Sequence, residues 1–190
     1  MIDRITRAFM FRKGVYSEVA ADTTFTTDAW LIVLVVQFLS QLGTRARLAA
    51  SDGFLSWVIG TVLFAAFGVL AFALGAFLVS YLARTMFKST ATFDQMQRAM
   101  GLAHVWNVIG LLGIITAVSV TMSCLLAPIS VAAGLAGLAA YLFAVRETTG
   151  MDWVGTVITV VAAMIVQLIV LAIASGIIGL FGITAAGIFG

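Results

Sequence analysis

The sequence has few of the residue types from which catalytic and metal sites are built. Its 190 residues include one histidine, one cysteine and one proline, and only 9% of them are charged. The lone Cys124 excludes an internal disulfide and, within its apolar run, predicts a small packed thiol. With one histidine, a haem held by two histidines of the same chain is excluded. We therefore expect no metal cluster and no enzyme.

Charge is scarce because most of the chain is apolar. Hydrophobic residues make up 63% of the sequence, whereas a soluble domain is about half apolar and about a quarter charged. Water could not solvate such a chain around one soluble core. The composition predicts an all-α integral membrane protein, and no nucleic-acid partner is expected.

Five stretches are apolar enough for transmembrane helices, which need about 20 residues. They are residues 29–43, 54–87, 101–126, 129–145 and 153–181. Pro128 predicts the break between the third and fourth spans, because proline lacks an amide donor and clashes with the preceding turn. Those two spans should form an antiparallel hairpin. The chain then divides into an N-terminal segment, residues 1–28, and a five-span membrane domain, residues 29–190.

The basic residues predict how the spans are oriented. With five spans, eight basic residues fall on one side of the membrane and two on the other. The eight are Arg4, Arg7, Arg12, Lys13, Arg84, Lys88, Arg98 and Arg146, and the two are Arg45 and Arg47. Lys and Arg concentrate on the cytoplasmic side of membrane proteins. We expect a multi-pass protein of the cell (inner) membrane with a cytoplasmic N-terminus and an external C-terminus.

The first residues of the chain predict an amphipathic helix on the cytoplasmic leaflet. Ile2, Ile5 and Phe9 share one helical face, and Arg4 and Arg7 lie elsewhere. Basic residues close to the membrane surface favour anionic lipids. Membrane lipids are therefore expected partners of this segment.

A second helix start is predicted just before the third span. Thr92 and Gln95 have the spacing of a capping box. Phe93, Met96 and Met100 then fall on one helical face, which predicts a short interfacial helix.

Arg98 and His104 in this region each allow more than one interpretation. Arg98 could snorkel to lipid phosphate, pair with Glu147 or Asp152, or meet a partner. His104 could form a hydrogen bond at the interface or between helices, or serve as the axial ligand of a bound tetrapyrrole, haem or chlorophyll. Apart from that alternative, no cofactor is expected.

Polar residues within the spans are few. Gln37 and Gln167 lie mid-span and should link helices by hydrogen bonds. No Asp, Glu, Lys or Arg lies at mid-membrane depth, which weighs against a pump or a proton-coupled transporter. Small residues four apart, which let helices approach closely, recur on four of the spans: Ala71 and Gly75, Gly113 and Ala117, the stripe Ala132, Ala136, Ala140 and Ala144, and Ala172 and Gly176.

Two segments of the chain resemble a known family. The run RAMGLAH and the later AAYLFAVRETTGMDWVGTVITVVA are similar to the bacterial branch of the Yip (Ypt-interacting protein) membrane domain family. Arg98, Gly101 and Ala103 match the first motif, and Ala144 to Arg146 match the second. The resemblance covers residues 14–175 and implies a five-span protein with a cytoplasmic N-terminus. The Asp-Leu-Tyr-Gly-Pro motif of eukaryotic members is absent, so it does not imply Rab GTPase binding.

These features favour a non-enzymatic scaffold or accessory subunit that binds other membrane proteins or itself. Its interaction residues are expected on the cytoplasmic side, at Arg98, Arg146, Glu147 and Asp152. One alternative is a transporter or channel for a small or lipidic solute, with the candidate lining residues Gln37, Asn107, Thr116, Ser119 and Gln167. Another is a pigment- or haem-associated subunit that uses His104.

Overall fold

A computed structural model describes residues 1–46 and 53–180, which form helices joined by short links and contain no strand. Five helical stretches are long and apolar enough to cross a membrane. They are Thr23–Thr44, Phe54–Phe87, Phe93–Val118, Thr121–Thr149 and Trp153–Gly179. The predicted all-α class is confirmed for these residues, and so is the predicted number of helices that are long and apolar enough to span a membrane. Arg47 and the end of the fifth predicted span, residue 181, lie outside them.

Eight α-helices and two 3-10 segments make up the described chain. The N-terminal helices are α1 (Ile2–Phe9) and α2 (Val15–Ala21), followed by a 3-10 turn (Thr23–Phe25). The first two spans are α3 (Thr26–Thr44) and α4 (Phe54–Phe87). Span three consists of α5 (Phe93–Ala103), a 3-10 segment (His104–Leu112) and α6 (Gly113–Val118). The last two spans are α7 (Val120–Thr149) and α8 (Trp153–Leu180).

The predicted break at Pro128 is wrong, because α7 runs through this proline. The chain turns instead at Ser119, whose backbone is extended with φ −148° and ψ 130°. The Ser123 hydroxyl donates to the Thr116 carbonyl at 3.0 Å, which satisfies a carbonyl left open where α6 ends. Membrane helices tolerate an internal proline when nearby groups compensate for the lost bond. Cys124, expected to be packed, is exposed on α7.

Glycines fix the close approach between α3 and span three. A Cβ on Gly113 would collide with the backbone of Gly43, and a Cβ on Gly110 would collide with Ser40. Gly101 faces Ala29 in the same way, nearer the start of both spans. The two spans therefore run in the same direction, as first and third crossings must.

Contacts of α4, α7 and α8 give the remaining directions. Along α4, Gly75 lies beside Gln167 of α8, and Phe87 lies beside Gly155. Higher numbers on one helix thus meet lower numbers on the other, so α4 and α8 are antiparallel. Between span three and α7, His104 contacts Tyr141 and Trp106 faces Gly137, again in opposite order. The directions agree with five successive crossings.

The helix that starts at Thr92 has the predicted cap but not the predicted position. The Thr92 hydroxyl accepts from the Gln95 backbone, and the Gln95 side chain accepts from the Thr92 backbone, so the capping box is confirmed. From Met96 to Val105, every residue is buried. The helix is therefore an internal element of the bundle and not an interfacial one, because α2, α3, α4 and α7 all pack around it.

The N-terminal segment folds onto the bundle. Helix α1 forms as predicted, and its Ile5 and Phe9 pack against the core. Phe9 meets the edge of the Trp106 ring at 4.9 Å, and Phe11 stacks on the same ring at 5.3 Å. Helix α2 was not predicted as a separate element. Four of its seven residues are buried, namely Val15, Tyr16, Val19 and Ala20.

Candidate functional site: a polar cluster between the spans

A cluster of polar side chains surrounds His104 inside the bundle. The His104 Nε2 atom lies 3.0 Å from Gln37 Oε1 of α3. Its Nδ1 atom lies within hydrogen-bond reach of the Tyr141 hydroxyl of α7, and 3.2 Å from Asn107 Nδ2. The Phe72 ring of α4 meets the imidazole edge-on at 5.4 Å. Side chains of the first four spans therefore converge on one histidine that is 5% exposed.

The partners of His104 fit one neutral tautomer. If Nε2 carries the proton, it donates to Gln37 Oε1, and the single lone pair of Nδ1 is shared by the Tyr141 hydroxyl and the Asn107 amide as donors. Both nitrogens are then satisfied without a net charge, which suits a site away from water. The geometry supports the expected role of His104 as a hydrogen-bonding link between helices. It gives no support to axial ligation of a tetrapyrrole, since neither nitrogen is free.

Two cavities adjoin this cluster. The first has a volume of about 180 Å³ and lies between α7 and α8, with Asn107, Tyr141 and Gln167 as its polar lining. The second has a volume of about 320 Å³ and lies between α3, span three and α7. Its lining includes five side chains with hydroxyl or amide groups, namely Ser40, Thr44, Asn107, Thr116 and Ser130. Asn107 and Gly134 line both cavities, so the two adjoin at these residues.

The 3-10 segment from His104 to Leu112 places Asn107 at this junction. Nine residues are long for a 3-10 helix, and such a stretch inside a helix often marks strain or a hinge. In a 3-10 helix, residues three apart lie above one another. His104 and Asn107 have this spacing, and Asn107 Nδ2 donates to His104. Local backbone geometry thus joins the buried cluster to the cavities.

Arg98 is buried and does not reach the lipid surface, so the expected snorkelling is wrong. Its side chain is among the buried charged residues, at 5% exposure. Nε and Nη2 donate to the Ala20 carbonyl at 3.1 and 2.6 Å, and Nη1 donates to the Thr26 hydroxyl at 3.1 Å. The guanidinium therefore closes the C-terminal end of α2 and ties it to the start of α3.

Glu147 holds the opposite end of α2. Its carboxylate accepts from the Gly14 amide at 3.1 Å and from the Tyr16 amide at 3.2 Å. A negative group at a helix N-terminus and a positive group at its C-terminus both match the helix dipole. Within residues 1–46 and 53–180, Arg98 forms no ion pair with Glu147 or Asp152. The predicted ion pair is absent from the described residues. Instead, Arg98 binds the C-terminal end of α2 and Glu147 binds its N-terminal end.

Arg146 and Asp152 remain at the surface near the start of α8. The Arg146 guanidinium lies over the Trp153 ring, 4.2 Å from its centroid. Asp152 Oδ1 accepts from the Gly155 amide at 3.0 Å and so caps α8. Both side chains are exposed. Of the four predicted interaction residues, these two stay accessible, whereas Arg98 and Glu147 form hydrogen bonds within the protein.

Ion pairs fasten α1 to α2. Arg4 pairs with Asp22 at 2.7 Å and with Glu18 at 3.3 Å, and Arg7 pairs with Glu18 at 2.7 Å. Hydrogen bonds from Thr24 and then from Arg4 lower the pKa of Asp22 to about 2. The hydrogen bond from Arg7 lowers the pKa of Glu18. These two arginines therefore have protein partners in addition to any lipid they meet.

Sequence patterns located part of this site. Gln37, His104, Asn107, Thr116 and Gln167 were singled out from the sequence, and the structure places all five in the cluster or at a cavity. Ser119, the remaining predicted lining residue, lies instead where α6 ends. Tyr141 was missed. In the sequence, this tyrosine stands out only as an aromatic residue with a hydroxyl group inside an alanine-rich span, and that pattern also fits a position at the membrane interface.

Comparisons with protein-family models, with curated proteins and with solved structures give no match for this chain. The resemblance to the Yip family stays a prediction from the sequence.

Proposed function

We propose that this protein is a non-enzymatic membrane scaffold or accessory subunit that binds another membrane protein or a second copy of itself. The observation that carries the proposal is a face of small residues, on the part of α8 after Gln167, that is exposed among the described residues. Ala172, Gly176 and Gly179 are exposed there. No described residue lies within 4 Å of the position that a Cβ on either glycine would occupy.

The spacing of these residues supports a helix-docking role. Positions separated by four and then three residues lie on one side of an α-helix. Small side chains at such positions let the backbone of a second helix approach closely, which is how many membrane helices associate. The small-residue stripe of α7, in contrast, is partly covered by other parts of the chain, since Ala140 and Ala144 are fully buried. Among the described residues, none covers the two glycines of the face on α8, which leaves room there for a partner helix.

The accessible polar residues at the proposed cytoplasmic end also support partner binding. Arg98 and Glu147 are occupied by α2, which leaves Arg146 and Asp152 near the base of α8 as accessible polar contacts. A partner helix on this face would meet Ala172 and Gly176 within the membrane, and Arg146 and Asp152 stay accessible at the other end of α8. We place that edge in the cytoplasm of a cell (inner) membrane, on the basis of the eight-to-two distribution of basic residues.

Cysteine cross-linking tests self-association at this face. Gly176→Cys, in a Cys124→Ser background, should give a disulfide-linked dimer in native membranes treated with a mild oxidant. Leu70→Cys, on an exposed part of α4, is the matched control and should remain a monomer. Equal cross-linking at both positions would mean random collision and would count against the face.

Affinity purification in mild detergent tests binding to a different membrane protein. A specific membrane protein should accompany the chain and be lost from the Gly176→Leu variant. A chain that remains strictly monomeric and retains no other protein would overturn the proposal.

A second candidate, passage of a small or lipidic solute, is favoured by the two adjoining cavities. Three of the five residues proposed from the sequence as a lining do line them, namely Asn107, Thr116 and Gln167. Flux measured in reconstituted vesicles separates this candidate from the first. A flux that Gln167→Leu abolishes would favour transport, and no flux for either protein would leave partner binding as the function.

A further inference from the structure

Gln167 has an amide group that the fold does not use. It is half-buried on α8, and its Nε2 atom lies 2.8 Å from the position of a Cβ on Gly75, so the missing side chain makes room for it. Within residues 1–46 and 53–180, no hydrogen bond to the Gln167 side chain is formed, in contrast to Gln37, which bonds to His104. Leaving an amide without a partner in an apolar medium is costly. The group is therefore available to a ligand.

The cavity next to Gln167 has the size and the lining of a small binding site. Its volume is about 180 Å³, enough for a group of several heavy atoms. Asn107 and Tyr141 supply further polar atoms, and Gly134 and Gly137 of α7 leave the space open. A Cβ on Gly134 would meet no described atom within 4 Å.

The chemistry of the lining selects an uncharged ligand. Among the described residues that line it, the polar side chains are amides or a phenol, and none is charged. A charged head would have no counter-ion there, whereas a hydroxyl or carbonyl group would find both donors and acceptors. The apolar lining of Leu138, Val160 and Met164 suits a hydrocarbon chain.

We infer that the cleft between α7 and α8 binds an uncharged lipid whose head carries hydroxyl or carbonyl groups. Gln167 and Asn107 bond the head, and Gly134 and Gly137 provide the space for it. Since the cleft lies between two membrane spans, such a lipid enters sideways from the bilayer. The inference requires neither partner docking nor transport, because a lipid that simply stays bound would also occupy the cleft.

Photolabelling of the full-length protein in phosphatidylcholine nanodiscs tests the site. The probe is a diacylglycerol with a diazirine on one chain, and a phosphatidylglycerol with the same chains serves as the anionic comparison. We expect the diacylglycerol to label α7 and α8 around the cleft, and excess dioleoylglycerol to compete. Labelling at the cleft no stronger than on the lipid-facing side of α4, or equal labelling by the anionic probe, would overturn the inference.

Two variants and a control complete the test. Gly134→Leu fills the cleft and Gln167→Leu removes the unused amide, and each should reduce specific labelling about tenfold, since one hydrogen bond or one blocked contact has about that effect on affinity. Gly176→Leu adds the same side chain at a glycine that also has no neighbour within 4 Å, and it should label normally. Unchanged labelling in both cleft variants would overturn the inference. Gly176→Leu disrupts the proposed docking face instead, so the two proposals fail separately.

Discussion

At the scale of single residues, Arg98 shows how a buried charge can hold two elements together. Its planar guanidinium uses three nitrogens on two acceptors, the Ala20 carbonyl and the Thr26 hydroxyl. Lysine keeps the charge but has no planar fork. We expect Arg98→Lys to lower the free energy of unfolding by about 2 kcal/mol or more, because hydrogen bonds to charged groups contribute about 1.5–3 kcal/mol each. Thermal unfolding in detergent measures this.

The control for this change is Arg84→Lys. Arg84 is exposed at the end of α4, and surface substitutions change stability by about 0.5 kcal/mol or less. Equal losses for the two variants would show that the contacts of Arg98 have no special weight.

Arg98 also shows where sequence reasoning stops. Its spacing correctly separated it from the apolar face of Phe93, Met96 and Met100, and that suggested a solvated side. The opposite side is covered by α2, whose seven residues are too few for a clear periodic pattern. Position within the sequence could not reveal that a short, distant helix lies on this charge. For His104, in contrast, the sequence predicted a hydrogen bond at the interface or between helices, and the structure shows hydrogen bonds between helices.

At the scale of elements, substitutions in α7 distinguish the predicted turn at Pro128 from the observed turn at Ser119. Pro128 lies inside this helix and leaves the Cys124 carbonyl without its usual donor. Pro128→Ala restores that donor, and we expect it to raise the free energy of unfolding by about 1–2 kcal/mol, less than the full propensity difference of about 3 kcal/mol because membrane helices compensate locally. Thermal unfolding of the purified variant provides the measurement.

Ala127→Pro is the opposite change at the neighbouring position and should lower stability, because it removes a helical hydrogen bond. At a hairpin turn, proline would be tolerated and alanine in place of Pro128 would be neutral or harmful. That pair of outcomes would restore the predicted turn at Pro128.

The attachment of α1 to α2 should depend on pH. Asp22 and Glu18 have lowered pKa values, that of Asp22 about 2 against an ordinary 3.8. A lowered carboxylate pKa adds stability above its ordinary value, and that stability is lost as the pH falls through the folded value. The ion pairs of Arg4 with these groups should thus hold α1 at pH 5 and weaken between about pH 4 and pH 2. A spin label on Ile2→Cys, with Cys124→Ser, should become more mobile over this range.

Asp22→Asn isolates the role of this carboxylate. The variant should already show raised mobility at pH 5, with a flatter dependence below it. If mobility rises equally in both proteins, the acid acts elsewhere and the ion pairs do not hold α1.

At the scale of the whole molecule, the apolar runs defined the five crossings, but glycine contacts defined how the crossings pack. The lengths and compositions of the runs were sufficient to count spans. Which spans touch depends on contacts such as Gly43 with Gly113 and Gly75 with Gln167, and glycines are scattered throughout the runs. The sequence therefore predicted the number of helical stretches long enough to cross a membrane, and could not predict the cleft between α7 and α8 or the grouping of Gln37, His104 and Tyr141 around one point.

The orientation of the whole chain in its membrane is the last prediction. The alternating directions of the spans place the N-terminal helices and the α7–α8 link at one end, and the end of α3 at the other. The eight basic residues at the first end should make it cytoplasmic. Ser17→Cys and Thr44→Cys mark exposed positions at the two ends. In a Cys124→Ser background, an impermeant maleimide should label Thr44→Cys in intact spheroplasts and Ser17→Cys only in inverted vesicles. The reverse pattern would invert the protein and place Arg146 and Asp152 outside, whereas labelling of both from one side would contradict an odd number of crossings between the two positions.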